Sequence, residues 1–265
     1  MTNQKGLDSY RLKLIALIFM VLDHIFSELN GPIHNYEHEA LWPHWISLTT
    51  RFVSPLFLYL MVEGFYHTRS RIKYLRRLLI AGGIMLGGNV LINYIFHNVS
   101  ATGKYTFRSL IAGHNIFLTL AVLFVFVWCL ENIKQKEHKK ISIILAIFTA
   151  IFSIALEGGF YLLPIAFICW LFHASKPLQC VGIGFWSLIL LTEAVTSYFH
   201  AGSATSFYDY MCFDNEWALF PVVFLILLYN GERGKNTKFT KYLFYVIYPL
   251  HLWILMIARY MIFHN

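Results

Sequence analysis

Asp23 and His24 stand side by side inside the apolar run Leu12 to Leu29, the first stretch of the chain long enough to cross a bilayer as a helix. An ionisable group at that depth costs about 3 kcal/mol on insertion scales, so such groups face a cavity or a partner and mark functional paths. Lys13 stands eleven positions earlier. Eleven residues of α-helix rise about 16 Å and turn through three turns plus about 20°, which puts Lys13 and His24 on one face. A neutral imidazole is the usual general base near pH 7. With a cationic anchor on the same face, it suits a charged donor that enters from one side and reacts near the other.

Further polar residues gather toward the outer half of the apolar runs. Asn89, Asn93 and His97 recur every four residues and predict one polar stripe on a helix. Glu157 closes the fifth run, Glu193 lies near the outer end of the seventh, and Arg51 opens the second. Tyr245, Tyr248 and His251 climb one face of the last. Together they predict an outward-opening polar cavity floored near His24 and His251, the alternative being that each side chain only bonds a neighbouring helix. His34, His38 and His44 with Glu37 and Glu39 are spaced like metal ligands, but Pro32 and Pro43 bound an irregular segment without HExxH order, and no metal is expected. Gly83 and Gly87 form a small-xxx-small pair, which predicts close helix packing or a slot for a thin ligand. Arg69, Arg71, Lys73, Arg76 and Arg77 form a basic cluster that reads as topogenic and offers counter-charge to phosphate, while Glu63 and His67 are an i, i+4 pair beside it.

The elements that must position these residues follow from composition. With 58% apolar residues, 13% charged residues and a mean hydropathy of +0.57 over 265 positions, the chain is a polytopic membrane protein. Nine apolar windows predict an all-α bundle: Leu12 to Leu29, Phe52 to Tyr66, Tyr74 to Phe96, Ile116 to Leu130, Ile141 to Leu156, Phe160 to Phe172, Val181 to Phe199, Trp217 to Tyr229 and Tyr242 to Phe263. Gly158 and Gly159 could make the fifth and sixth one hairpin or re-entrant unit. An odd number of crossings with the N-terminus inside and the C-terminus outside places all but four of the 21 Lys and Arg residues in cytoplasmic segments, the exceptions being Arg51, Lys104, Arg108 and Arg259. The net charge of +7 therefore records membrane orientation and calls for no nucleic acid. The first run follows a basic N-terminus but lacks a small-x-small cleavage site, so it is expected to be retained. Only Cys212 of the four cysteines falls outside, which rules out an outer intramolecular disulfide. No repeat or soluble domain is evident, and residues 1–265 read as a single domain.

Several longer runs carry a resemblance. LKLIALIFMVLDHI at Leu12 to Ile25, RFVSPLFLYLMVEGFYHT at Arg51 to Thr68 with the basic YLRRLL after it, NIFLTL at Asn115 to Leu120, EGGFYLLP at Glu157 to Pro164 and KYLFYVIYPLHL at Lys241 to Leu252 resemble the TraX family. That family is named for the membrane acetyltransferase that caps the N-terminus of F-pilin, and it is related to membrane acyltransferases that O-acetylate polysaccharides. The likeness spans nearly the whole chain. The basic-x10-His spacing of the related acyltransferases resembles Lys13 to His24, with Lys in place of the commoner Arg. Thr50 replaces the usual Gly before the Arg, Ser54 intrudes before Pro55, and Glu157 stands where many members carry Asp. The first two departures are expected to alter packing without touching chemistry.

The resemblance implies an acetyl-CoA-dependent acetyltransferase of the cell membrane. Acetyl-CoA, a co-substrate, would bind from the cytoplasm with its phosphates near Lys13, Arg69, Arg76 and Arg77, and His24 would be the general base. Asp23 points elsewhere on the helix and would orient a partner, with Glu157 or His251 holding the imidazole. Arg51 would hold the acceptor or the developing oxyanion, with Asn89, Asn93, Asn115 and Tyr248 lining the acceptor side. The acceptor would be an exported peptide, a glycan or a lipid. A proton-coupled transporter using Asp23, His24, Glu193 and His251 is the alternative, although transporters commonly pair two related halves and none is detected here. An assembly protein with no essential polar residue is the third.

Overall fold

A computed structural model of the chain describes residues 6–29, 44–99, 103–201, 206–235 and 237–263. The expected ligand-like residues His34, Glu37, His38 and Glu39 lie outside these described residues. The fold is all-helical: α1 (Ser9–Leu29), α2 (Ile46–Thr50), α3 (Val53–His67), α4 (Arg71–Ile95), α5 (Phe107–Ile111), α6 (Ile116–Lys134), α7 (Lys139–Ile154), α8 (Gly159–Leu171), α9 (Lys176–Ala201), α10 (Phe207–Phe213), a 3-10 turn (Glu216–Leu219), α11 (Val222–Leu228) and α12 (Lys238–Phe263). Five helical spans, Ile46–His67, Arg71–Ile95, Ile116–Lys134, Lys176–His200 and Tyr242–Ile262, are long and apolar enough to cross a membrane. The protein is thus a multi-pass helical membrane protein.

Length accounts for most of the gap between nine apolar windows and five full spans. The fifth and sixth windows form α7 and α8, of only 16 and 13 residues. The eighth falls in the helical stretch Glu216–Leu228, which is bent by 57° from α10, and counting that broken pair as one span raises the total to six. The first window forms α1, which carries Lys13, Asp23 and Glu28 along its length.

The chain divides into two compact units, Met1–Val62 with Pro164–Lys241, and Glu63–Leu163 with Tyr242–Asn265. In the first unit α1 packs on α2, and α9 packs on the 3-10 turn, α10 and α11. Leu12, Ala16, Leu56, Leu58, Ile165, Ile183, Val222 and Ile226 are fully enclosed there. The approach to α1 is stitched to the loop after α11 by backbone bonds Leu7 N to Leu228 O (2.8 Å), Asn230 N to Leu7 O (3.0 Å) and Ser9 N to Glu232 O (2.8 Å). Lys176 donates to Tyr229 O at 2.6 Å and lies over the Tyr229 ring, so a charged side chain closes this end.

In the second unit α6 packs between α4 and α7. Its Leu123, Phe124 and Val127 are completely buried. Helix α7 is inverted relative to a water-soluble one: Ser142, Thr149 and Ser153 are buried, whereas Ile144, Phe148 and Ile151 are more than 60% exposed. Thr149 and Ser153 satisfy their hydroxyls on carbonyls of their own helix, at 2.7 and 2.8 Å. That pattern suits a lipid-facing apolar side, because hydrocarbon imposes no penalty on exposed Ile and Phe and a steep one on exposed hydroxyls.

Two expectations about α4 are corrected. Close packing does not run through Gly83 and Gly87, where an added Cβ would meet nothing within 4 Å. It runs through Gly82, which faces the Leu118 backbone, and Gly88, where a Cβ would overlap the Trp253 ring. The predicted stripe Asn89, Asn93 and His97 also ends early. Helix α4 stops at Ile95, and His97 adopts a left-handed φ of 53°, exposed, with its ring bonded to Ile95 O. Asn89 and Asn93 remain on the helix and are almost wholly buried.

Candidate functional site

The densest polar constellation of the second unit is built around Glu157. Helix α7 ends at Ile154, and Gly158 takes a φ of +67°, a conformation open to glycine and costly for other residues. Gly159 is equally constrained, since a Cβ there would fall on the Ser153 carbonyl. This tight reversal fixes Glu157 between two helices, and Thr119 Oγ1 donates to its backbone carbonyl at 2.9 Å. The Glu157 carboxylate then reaches the N-terminus of α6. His114 Nδ1 lies 2.6 Å from Oε1, and the Asn115 backbone N–H donates to Oε2 at 2.5 Å. The Tyr248 hydroxyl also bonds the carboxylate, and it accepts from the Ile116 N–H at 3.1 Å. A carboxylate at a helix N-terminus is favoured twice, by the unpaired amides and by the helix dipole.

Because a carboxylate only accepts, the bond fixes the proton of a neutral His114 on Nδ1 and leaves the lone pair on Nε2. This is the arrangement in which an imidazole can take a proton while the carboxylate stabilises the resulting cation. Tyr248 is buried, its ring meets Phe117 edge-on at 4.9 Å and lies 5.8 Å from the His251 ring. His251 Nδ1 lies 2.7 Å from the Ile247 carbonyl of its own helix, so its Nδ1 also carries the proton. Asn115 is the N-cap of α6, accepting from Leu118 N, and its amide donates to Gly82 O at 3.0 Å.

Asn89 and Asn93, expected on the acceptor side, are engaged within the protein. Asn89 Nδ2 donates to His114 O at 3.2 Å, and its Oδ1 accepts from Trp253 Nε1 at 3.2 Å. Asn93 Nδ2 donates to the carbonyls of Leu110 and Ala112, while its Oδ1 accepts from the Tyr260 hydroxyl at 2.7 Å. Arg77 is half-buried, lies over the Tyr74 ring and hydrogen-bonds the Tyr245 hydroxyl, whereas Arg69 and Arg76 are exposed. The Glu63 and His67 pair meets through the backbone, His67 Nδ1 being 2.8 Å from Glu63 O.

In the first unit His24 is buried and Asp23 lies beside it, facing α2. The Thr50 hydroxyl lies 2.5 Å from Asp23 Oδ1, and Arg51 Nη2 lies 3.3 Å from the same oxygen. Arg51 Nε reaches the Ser47 carbonyl at 3.4 Å. Thr50 therefore does more than fill space: a glycine there would remove a donor from the Asp23 carboxylate. Lys13 is half-buried one turn into α1, with Arg233 as a cationic neighbour held there by the Ser9 to Glu232 stitch. Glu193 accepts from Ser197 at 3.0 Å on the exposed side of α9, and His44 meets Asp209 at 2.9 Å. All four cysteines are free and buried.

Sequence reasoning missed His114. Its signal was a Gly-His-Asn sequence before an apolar run, in which Asn115 reads as an N-cap and the preceding histidine is thereby held at a helix entrance. Trp253, which orients Asn89, carried no polar signal of its own.

Among known proteins, the chain is similar to a probable fimbrial assembly protein, FimC of serogroup H1, from Dichelobacter nodosus. The two are 25% identical over 266 residues, covering 98% of each chain. No solved structure matches. The model of the TraX protein family matches residues 9–259, through α1, the His114–Glu157 pair and nearly all of α12, and the chain belongs to that family.

Proposed function

We propose that this TraX-family protein is a membrane-embedded acetyltransferase that moves an acetyl group from cytoplasmic acetyl-CoA to an amine or hydroxyl at the outer side of the cell's inner membrane. The observation that carries this reading is the His114–Glu157 pair at the entrance of α6. Acetyl transfer needs a group that takes a proton from the acceptor as its nitrogen or oxygen attacks the thioester carbonyl. The carbon–sulfur bond then breaks, and the departing thiolate takes up the proton. His114 Nε2 suits the first proton transfer, with Glu157 stabilising the imidazolium. A sequence-based role as base for His24 remains a separate proposal, as do donor phosphate binding by Lys13, Arg69 and Arg76 and acceptor binding by Arg51. The accompanying topology has nine crossings, with the N-terminus inside and the C-terminus outside.

Purified protein in detergent, given labelled acetyl-CoA and a fimbrial-subunit peptide, tests the proposal by coupling thiol release to label transfer. The fimbrial assembly name of the relative makes such a peptide the first acceptor to try. Transfer abolished by His114→Ala in folded protein supports the reading; no thioester turnover with peptide, glycan or lipid acceptors would refute it. The same name favours a second reading, an assembly protein without transfer, in which fimbrial assembly survives His114→Ala.

A further inference from the structure

The segment that carries His114 has no long helix of its own: only α5, Phe107–Ile111, lies between Gly103 and the start of α6. Its backbone carbonyls are instead claimed by side chains of α4 and of the turn that follows it. Asn98 donates to Ser109 O at 2.9 Å, Asn93 to Leu110 O at 2.9 Å and Ala112 O at 2.8 Å, and Asn89 to His114 O at 3.2 Å. These three amides thus follow the segment carbonyl by carbonyl toward the histidine. Each asparagine of the buried pair is in turn oriented by α12, through Trp253 on Asn89 and Tyr260 on Asn93.

An amide side chain can rotate to exchange its oxygen and nitrogen, and the wrong rotamer would set Oδ1 against the His114 carbonyl. A donor aimed at Oδ1 forbids that flip, because only the oxygen can accept. The indole N–H of Trp253 does this for Asn89. Packing enforces the geometry from both sides: Gly88, next to Asn89, lies against the Trp253 ring, where a Cβ would overlap it. Gly113, next to His114, has a φ of +120°, and a Cβ there would lie 2.9 Å from the Asn89 amide nitrogen. Two glycines thus clear the space in which indole, amide and carbonyl line up.

We infer that Asn89 and Trp253 are positioning residues for His114, an indole-to-amide-to-backbone relay that keeps its imidazole aligned on Glu157. The kinetic arm of the inference rests on the acetyltransferase reading; the relay itself does not. A reacting group displaced by about 1 Å can lose roughly 100-fold in rate, and loss of a supporting hydrogen bond around a site typically costs about 10- to 100-fold.

Trp253→Phe keeps the aromatic volume and deletes the N–H, and Asn89→Ala deletes the amide. Protein labelled with 15N-histidine in nanodiscs, with the His114 signal assigned by its absence in His114→Ala, reports which ring nitrogen is protonated without any turnover. Wild type should show a protonated, hydrogen-bonded Nδ1, and both variants should shift or broaden that signal. In turnover, kcat should fall about 10- to 100-fold while KM for acetyl-CoA stays within about twofold. Tyr260→Phe, which deletes one of the two donors to Asn93 Oδ1, farther from His114, should lower the melting temperature with little effect on the His114 signal. An unchanged His114 signal in folded Trp253→Phe and Asn89→Ala protein would overturn the relay, whether or not acetyl transfer is observed. The expected His114 shift in both variants, with a wild type that turns over no thioester, would keep the relay and sink the acetyltransferase reading.

Discussion

Replacing Glu157 with glutamine removes one charge at nearly constant shape and separates a catalytic carboxylate from a structural one. In the native protein two N–H donors and one O–H donor converge on its two oxygens: His114 Nδ1, the Asn115 amide and the Tyr248 hydroxyl. Glutamine offers one oxygen, so one of the two N–H donors must face an NH2 group. The side chains of His114 and Glu157 are 34% and 30% exposed, so solvent can serve part of the orphaned donor, and the low end of the usual penalty applies, about 1 kcal/mol. For a chain of this size that corresponds to a fall of about 2–4 °C in melting temperature. The catalytic effect should be larger, because the lost charge is the one that stabilises the imidazolium. A loss of about 2–4 kcal/mol of transition-state stabilisation means a fall in kcat of roughly 30- to 1,000-fold. Initial rates of thiol release, saturation in acetyl-CoA and a thermal melt on the same preparation give all three quantities. A variant with near-native kcat and a lowered melting temperature would make Glu157 a helix-capping residue and refute its proposed role.

Other substitutions probe separate steps. Gly88→Ala should destabilise by about 1–3 kcal/mol or misfold, since the new methyl would meet the Trp253 ring, whereas Gly83→Ala and Gly87→Ala should melt like the wild type; equal melts for all three would refute the packing of α4. If His24 is a general base, His24→Ala should insert at normal yield and lose about 100- to 10,000-fold in transfer. If it is only a buried hydrogen-bond partner, the loss should appear as about 1–3 kcal/mol of stability, with activity tracking folded protein. On intact cells, a cysteine at Gly103 should react with an impermeant thiol reagent and one at Gln135 should not; the reverse labelling would invert the proposed donor and acceptor sides.

The sequence alone determined what depends on local composition. The apolar runs fixed an all-helical membrane protein; seven of the nine starting positions fall within four residues of an observed α-helix start, and the motifs at Asp23–His24, Arg51 and Glu157–Gly159 placed the chain in its family. Hydropathy counts residues in a window, so it does not report where a helix is short or bent, as α7, α8 and the α10–α11 region are. Tertiary structure decided which face of each helix turns inward and which side chains meet. Between Leu78 and Gly88 helix α4 carries no polar side chain, so that stretch leaves its rotation open, and packing chose Gly82 and Gly88 over Gly83 and Gly87. Glu157 and His114 are 43 positions apart, joined by a reversal after α7 and the N-terminus of α6. No local periodicity encodes that pairing, because it depends on the long-range packing of α6 between α4 and α7, which brings the carboxylate to a helix end whose amides and dipole favour its charge.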